Sequence, residues 1–371
     1  MLNGSHPATE LTPGWDNEAV TLVDRPSRHV REMPPRRVGR RGLMGGALLG
    51  TGAVALGSWL TGRDTSNGAE QQVANASPDG KPSKDPASGS RFTGDPGNGK
   101  LLMGFSLAID QQAAARSEIG GDEITMSRRF YQAHQLELMQ TMVRADAARG
   151  IMPFVSLKTP GSWRAAAEGR SDRWLQSALT ILGGLTTPAF LSLHHEPEDN
   201  HAGGGNTPQA WIEMHRRASV IAEAYPQVTI VPVLMQWTFD PASKRDPLEW
   251  LLPEHPVLGV DIYNPWRADG SRQWVEFDSL ITQVRAFVPM STPIIVPEFG
   301  SVSDPLDPLR ATLWLRAAYE SALRNNVAGL AWFDSEYNNK KGDLRLNRES
   351  SQVMRELLAR PETVRWSEIQ A

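Results

Sequence analysis

Glu196 and Glu298 each close a short apolar run. Ala189-Phe190-Leu191-Ser192-Leu193 leads into His194-His195-Glu196-Pro197-Glu198-Asp199, and Ile294-Ile295-Val296-Pro297 leads into Glu298-Phe299-Gly300. Runs of this length suit strands buried on both faces, with ionisable residues delivered at the carboxyl end. On a barrel of parallel strands that end is the mouth, where the chemistry sits. Two carboxyl groups about 5 to 5.5 Å apart can cleave a glycosidic bond with retention. One attacks the anomeric carbon; the other donates a proton and later removes one. Like charges at that range do not both ionise cheaply, so one group stays protonated as the acid. A lone strand-end glutamate would more often be a salt-bridge partner or a helix cap.

A metal is the competing chemistry, because His194, His195, Glu196, Glu198, Asp199 and His201 crowd together. The spacing argues against it. A zincin helix carries two histidines four apart, whereas Pro197 interrupts any such helix and position 199 is Asp. Gly104-Phe105-Ser106-Leu107 also lacks the His-x-His that barrel metallohydrolases place near the first strand. No metal and no cofactor is expected.

The elements that must position the two acids follow from Leu101 onward, where apolar runs alternate with helical periodicity. Eight strands are expected: Leu101 to Leu107, Ile124 to Tyr131, Ile151 to Leu157, Ala189 to His195, Val228 to Trp237, Val257 to Tyr263, Pro293 to Glu298 and Ala328 to Asp334. Helices are expected over Gln135 to Arg149, Ser171 to Leu185, Pro208 to Tyr225, Trp274 to Val288, Pro308 to Asn325 and Ser350 to Arg360. The first and fifth connections carry weaker helical patterns. Met126-Ser127-Arg128-Arg129 breaks the apolar character of the second strand. The fold class is α/β, a (β/α)8 TIM barrel over residues 101–371, on which strands four and seven end over one mouth.

Upstream, residues 1–60 form a basic region followed by an export signal or membrane anchor. Arg36-Arg37-Val38-Gly39-Arg40-Arg41 precedes the uncharged run of residues 43–60. Positive residues ahead of a short apolar run mark an export signal, and Arg40-Arg41-Gly42-Leu43-Met44 fits the twin-arginine pattern. The run is also at the low edge of spanning length, so retention as an anchor is the alternative to cleavage. Residues 61–100, rich in Gly, Ser, Pro, Asp and Lys, are expected to be a disordered linker. The body of the protein would then work outside the cytoplasm, secreted or held at the membrane.

Among 371 residues there is no cysteine, which excludes disulfides, thiolate metal sites and a cysteine nucleophile. A net charge of -4 lacks the basic stripe of a nucleic-acid binder, and neutral or weakly polar substrates fit it better. Twelve tryptophans are many. Trp163, Trp237, Trp266 and Trp332 fall at strand ends or in the loops after them, where flat rings stack on sugar faces.

His195-Glu196-Pro197 and Pro297-Glu298-Phe299-Gly300 resemble the strand-four and strand-seven motifs of clan A glycoside hydrolases. Within the clan the chain is most similar to family 26, in which a His precedes the acid/base Glu. Gly205-Asn206-Thr207-Pro208 with Trp211 resembles that family's entry into helix four, and Gly342-Asp343-Leu344-Arg345-Leu346 its strand-eight region. The resemblance implies Glu196 as acid/base and Glu298 as nucleophile. It implies that Tyr263 hydrogen-bonds the nucleophile, that His195 touches the sugar or orients Glu196, that Trp332 floors the sugar site, and that Trp237 adds aromatic surface. Arg129 would pair with the nucleophile from strand two, or else be an ordinary solvated arginine. The expected activity is retaining hydrolysis of a β-mannan or β-glucan by a monomer. The mannanase aromatic cluster is missing from His201-Ala202-Gly203-Gly204-Gly205. A non-catalytic barrel that binds cell-surface polysaccharide is the rival from another class.

Overall fold

The structure, a computed structural model, describes residues 91–369 apart from 108–111, 120–123, 202 and 336–341. The expected signal or anchor and most of the expected linker lie outside the described residues. Parallel strands alternate with helices in the order β1 (Leu102–Ser106), α1 (Gln112–Glu118), β2 (Met126–Tyr131), α2 (Leu136–Ala147), β3 (Met152–Leu157), α3 (Trp163–Ala167), α4 (Asp172–Gly183), β4 (Ala189–Leu193), α5 (Pro208–Ala222), β5 (Val228–Ile230), β6 (Val233–Met235), β7 (Leu258–Tyr263), α6 (Phe277–Arg285), β8 (Ile294–Gly300), α7 (Leu309–Arg324), β9 (Val327–Phe333) and α8 (Arg348–Leu358). The sheet order is β5-β4-β3-β2-β1-β9-β8-β7-β6.

This order fits a (β/α)8 barrel whose fifth strand is in two pieces. β5 and β6 are halves of the run expected from Val228 to Trp237, parted at Pro232, which has no N–H to give to a ladder. β5 pairs with β4, while β6 pairs with β7. Across the break the Val231 N–H donates to the Leu191 carbonyl (2.9 Å), and the Gly259 N–H donates to the Pro232 carbonyl (2.7 Å). The two ends of the sheet therefore meet through this single stretch of chain. After Met235 only short 3-10 turns, Gln236–Phe239, Pro241–Ser243 and Pro247–Glu249, connect to β7, as the weak helical pattern there implies.

Alternation along each strand sorts the side chains into two layers. Leu102, Met126, Met152, Phe154, Phe190, Val231, Val233, Ile295 and Ala331 fill the barrel interior, while Met103, Phe105, Val155, Leu191, Val260, Val296, Phe299 and Leu330 pack under the helices. Gly104 is glycine by necessity, because a Cβ there would stand 1.7 Å from the Met126 carbonyl oxygen. The packed body begins ten residues before the expected boundary at Leu101. Phe92 is buried against Phe190 (ring centroids 6.1 Å), and the Thr229 hydroxyl donates to the Thr93 carbonyl (2.9 Å). Phe92 thereby plugs the end of the barrel where the strands begin.

Candidate active site

β4 ends at Leu193, two residues sooner than its apolar pattern predicts, because His194 and Glu196 adopt left-handed backbone (φ 47° and 50°). Each such residue costs on the order of 1–3 kcal/mol and persists only when its surroundings over-determine it. Here they do. The His194 N–H donates to the Leu157 carbonyl (3.2 Å) and the Glu196 N–H to the Val233 carbonyl (3.0 Å). Trp211 Nε1 donates to the His194 carbonyl (3.0 Å), and Asn200 Nδ2 to the Glu196 carbonyl (3.0 Å). α5 reaches this position because Thr207 caps it, accepting from the Ala210 N–H (3.2 Å), with Pro208 in its first turn.

Glu298, on β8, is buried and held at both oxygens. Tyr263, at the end of β7, donates its hydroxyl to Oε2 (2.5 Å), and Arg128 Nη1 lies 2.9 Å from Oε1. The same Arg128 nitrogen is 2.7 Å from Asp261 Oδ1, and Arg128 Nε donates to the Ser156 hydroxyl (3.0 Å). Its guanidinium also stands 4.9 Å from the Phe130 ring and 5.4 Å from that of Phe154. Arg128 is fully buried, so its position is set by these partners and not by solvent. Burying a charge is tolerated only with such pairing.

The electrostatics divide the acids. Burial pushes the Glu196 carboxyl well above the usual range, and the charges of Asp261, Glu298 and Glu198 push the same way against Arg128. Asp261 is likewise raised, first by burial and then by Glu298, with Arg128 opposing. Burial takes Glu198 up to about 7; its Oε1 accepts from the Met235 N–H and the Thr238 hydroxyl, both at 2.9 Å. Tyr263 is raised by burial and by Glu298, so it stays a hydroxyl and a donor. The site thus holds a Glu196 whose carboxyl is raised by burial and by neighbouring carboxylates, close to a Glu298 gripped by a cation and a phenol.

Of the expected residues, Glu196, Glu298 and Tyr263 come together. His195 is half-buried against the Phe130 ring (5.2 Å), and burial and the Arg128 charge hold its imidazole well below the usual histidine range. Trp237 lies in the turn after β6, half-buried. Two expectations are overturned. Arg129 points away from Glu298 and is buried in an ion pair with Asp146 of α2, because alternation on β2 turns Arg128 inward and Arg129 outward. Trp332 is also on the outer layer, edge-on to Phe299 (5.1 Å) and bonded through Nε1 to the Leu344 carbonyl (2.9 Å). The inward side chain of β9 is Phe333, whose ring meets Tyr263 at 5.9 Å. Trp163 is buried as well, edge-on to His194. The clustered His and acidic residues diverge: Asp199 pairs with Arg245, and His201 rests on Trp250.

Sequence reasoning missed Arg128, Asp261 and Glu198. A signal existed for the first two, since period two from apolar Met126 puts Arg128 inside, and period two back from Tyr263 does the same for Asp261.

No family model matches the chain, and no curated protein matches it in sequence. Solved structures do match in fold. A family 5 lichenase mutant from a Caldicellulosiruptor species, in complex with cellotetraose, aligns at TM-score 0.50 and 12% identity, over 66% of this chain and 84% of that one. ZgEngAGH5_4 aligns at TM-score 0.50 and 11% identity, over 68% and 96%. A family 26 endo-β-1,4-mannanase from Cellulomonas fimi aligns at 0.48 and 12%, over 75% and 77%. At this identity the likeness is one of fold, a (β/α)8 barrel shared with the family 5 structures.

Proposed function

We propose that the protein is a retaining β-glycoside hydrolase acting on a β-linked polysaccharide, a β-mannan or a β-glucan. The observation that carries the reading is the pair of buried acids just past β4 and on β8: Glu298 is fixed between Arg128 and Tyr263, and burial together with the Asp261 and Glu298 charges holds the Glu196 carboxyl well above its usual range.

In the first displacement a Glu298 oxygen bonds to the anomeric carbon as the glycosidic bond breaks, and the Glu196 proton passes to the departing oxygen. Arg128 and Tyr263 hold the nucleophile so that little reorganisation is needed to reach attack geometry. Glu196, now a carboxylate, takes a proton from water as that water attacks the anomeric carbon and releases Glu298. His195 and Trp237, both part-exposed at strand ends, are proposed to contact the sugar. Glu298→Ala and Glu196→Ala should each lower kcat on a susceptible β-glycan by about a thousandfold or more, with oligosaccharide binding retained. Unchanged turnover in either variant would remove that residue from the mechanism.

Work outside the cytoplasm, by export or by anchoring through residues 43–60, completes the proposal. It rests on the twin-arginine-like sequence and a polymeric substrate. Recovery of the intact chain solely from cytosol would overturn it.

A further inference from the structure

The loop between β7 and α6 leaves the strand that carries Tyr263, and it is pinned at both ends. The Asn264 side-chain oxygen accepts the N–H of Trp266 (3.1 Å) and of Val275 (3.3 Å). Within it the Arg267 N–H donates to the Arg272 carbonyl (3.3 Å), which brings two guanidinium groups to one place. Arg267 is half-buried and donates through Nη1 to the Trp266 carbonyl (2.8 Å). Arg272 stands 5.5 Å from the ring of Trp237, which follows strand five. The pair therefore lies at the mouth, between the loops after strands five and six.

What sets the pair apart, among the described residues, is the lack of an ion-paired carboxylate. Other arginines are ion-paired: Arg245 with Asp199 and Arg345 with Asp343 in loops after strands, and Arg310 in the first turn of α7 with Asp304. Among the described residues, neither Arg267 nor Arg272 has a carboxylate within 4.0 Å. Asp269, whose charge reaches Arg267, forms no ion pair with it and accepts the Ser271 N–H through Oδ1 (2.8 Å). Burial and the Arg272 charge both depress the Arg267 pKa, so the loop holds two cations together at an electrostatic cost. A bound anion relieves that cost, and guanidinium forks match carboxylates bidentately.

Resting on the hydrolase reading above, we propose that Arg267 and Arg272 form a subsite for a carboxylate borne by the glycan. The substrate is then an acidic β-glycan, its carboxylate either a backbone uronate or an acyl substituent, with Trp237 packing on the adjoining sugar. The chain's net charge of -4 does not oppose this. Charges beyond about 8 Å are largely screened at physiological salt, so the local pair outweighs the global sum. On this proposal the substrate is acidic, where total charge alone points to a neutral one.

The test uses the full chain carrying Glu298→Ala, so that binding is read without cleavage. Three probes are compared by calorimetry: a β-1,4-glucan oligosaccharide, its C6-oxidised glucuronate form and its succinylated form. The expected result is about tenfold tighter binding of one carboxylated form than of the parent, weakening as salt is raised. Adding Arg267→Gln and Arg272→Gln should reduce that preference to about twofold or less, while the Arg→Lys pair keeps part of it. Preference for the oxidised form identifies a backbone uronate, and preference for the succinylated form a substituent. Equal binding of all three, no binding of any, or a preference that survives the double Gln change overturns the proposal. Hydrolysis by the unsubstituted chain is scored separately. Cleavage without acidic preference sinks this inference alone, whereas arginine-dependent binding without cleavage sinks the hydrolase reading.

Discussion

Glu198 illustrates how one side chain tunes another. It sits two residues past Glu196, buried, and its charge is among those that raise the Glu196 pKa. Glu198→Gln preserves an acceptor for the Met235 N–H and the Thr238 hydroxyl but deletes a negative charge. A proton on Glu196 is then easier to lose. The alkaline limb of kcat/KM, set in this mechanism by ionisation of the acid, should move to lower pH, and a pH–rate profile of the variant reads it. An alkaline limb that stays in place would mean that Glu198 does not feel the acid across this short gap. The two catalytic candidates were legible in sequence because each stands at the end of an apolar run, where position and chemistry coincide. Glu198 carried no such mark, since its role depends on a turn after β6 that no local pattern ties to it. Arg128 and Arg129 show the reverse case. The residue type was visible, yet only the register of β2 decides which one faces Glu298.

At the scale of elements, the end of β4 is held in place by its neighbours. α5 supplies Trp211 to the His194 carbonyl, and the cap at Thr207 starts that helix at the right residue. Thr207→Ala removes the acceptor for the Ala210 N–H and should cost about 1 kcal/mol in urea unfolding. Periodicity exposed eight strands and their helices because burial on both faces leaves long apolar runs. It could not show that the fifth would divide, since a proline inside a short run marks an edge or a break only once its pairing partners are known. Nor could it show that β4 would stop at Leu193, because the left-handed turn is imposed by hydrogen bonds to the Leu157 and Val233 carbonyls and from Trp211 and Asn200, not by the residue types themselves.

For the molecule as a whole, the boundary at the amino end matters most. Composition placed Arg91 to Lys100 with the polar linker, since one phenylalanine among Gly, Asp and Asn is a faint signal. In the fold, that phenylalanine fills the closed pole, and Arg91 pairs with Asp95 beside it (2.8 Å). A fragment starting at Leu101 should be less stable than one starting at Pro86 by about 3 kcal/mol, chiefly from the exposed interior that Phe92 covers. Denaturant titration of the two fragments measures it, and equal midpoints would show the plug to be dispensable.

The plug also fixes polarity. Because the chain enters at the pole where the strands start, and both acids stand at the opposite rim, Arg91 and the two glutamates occupy antipodes of one small body. On the proposed anchoring through residues 43–60, a tether joined at Arg91 would leave the rim that carries Glu196 and Glu298 open to a long glycan.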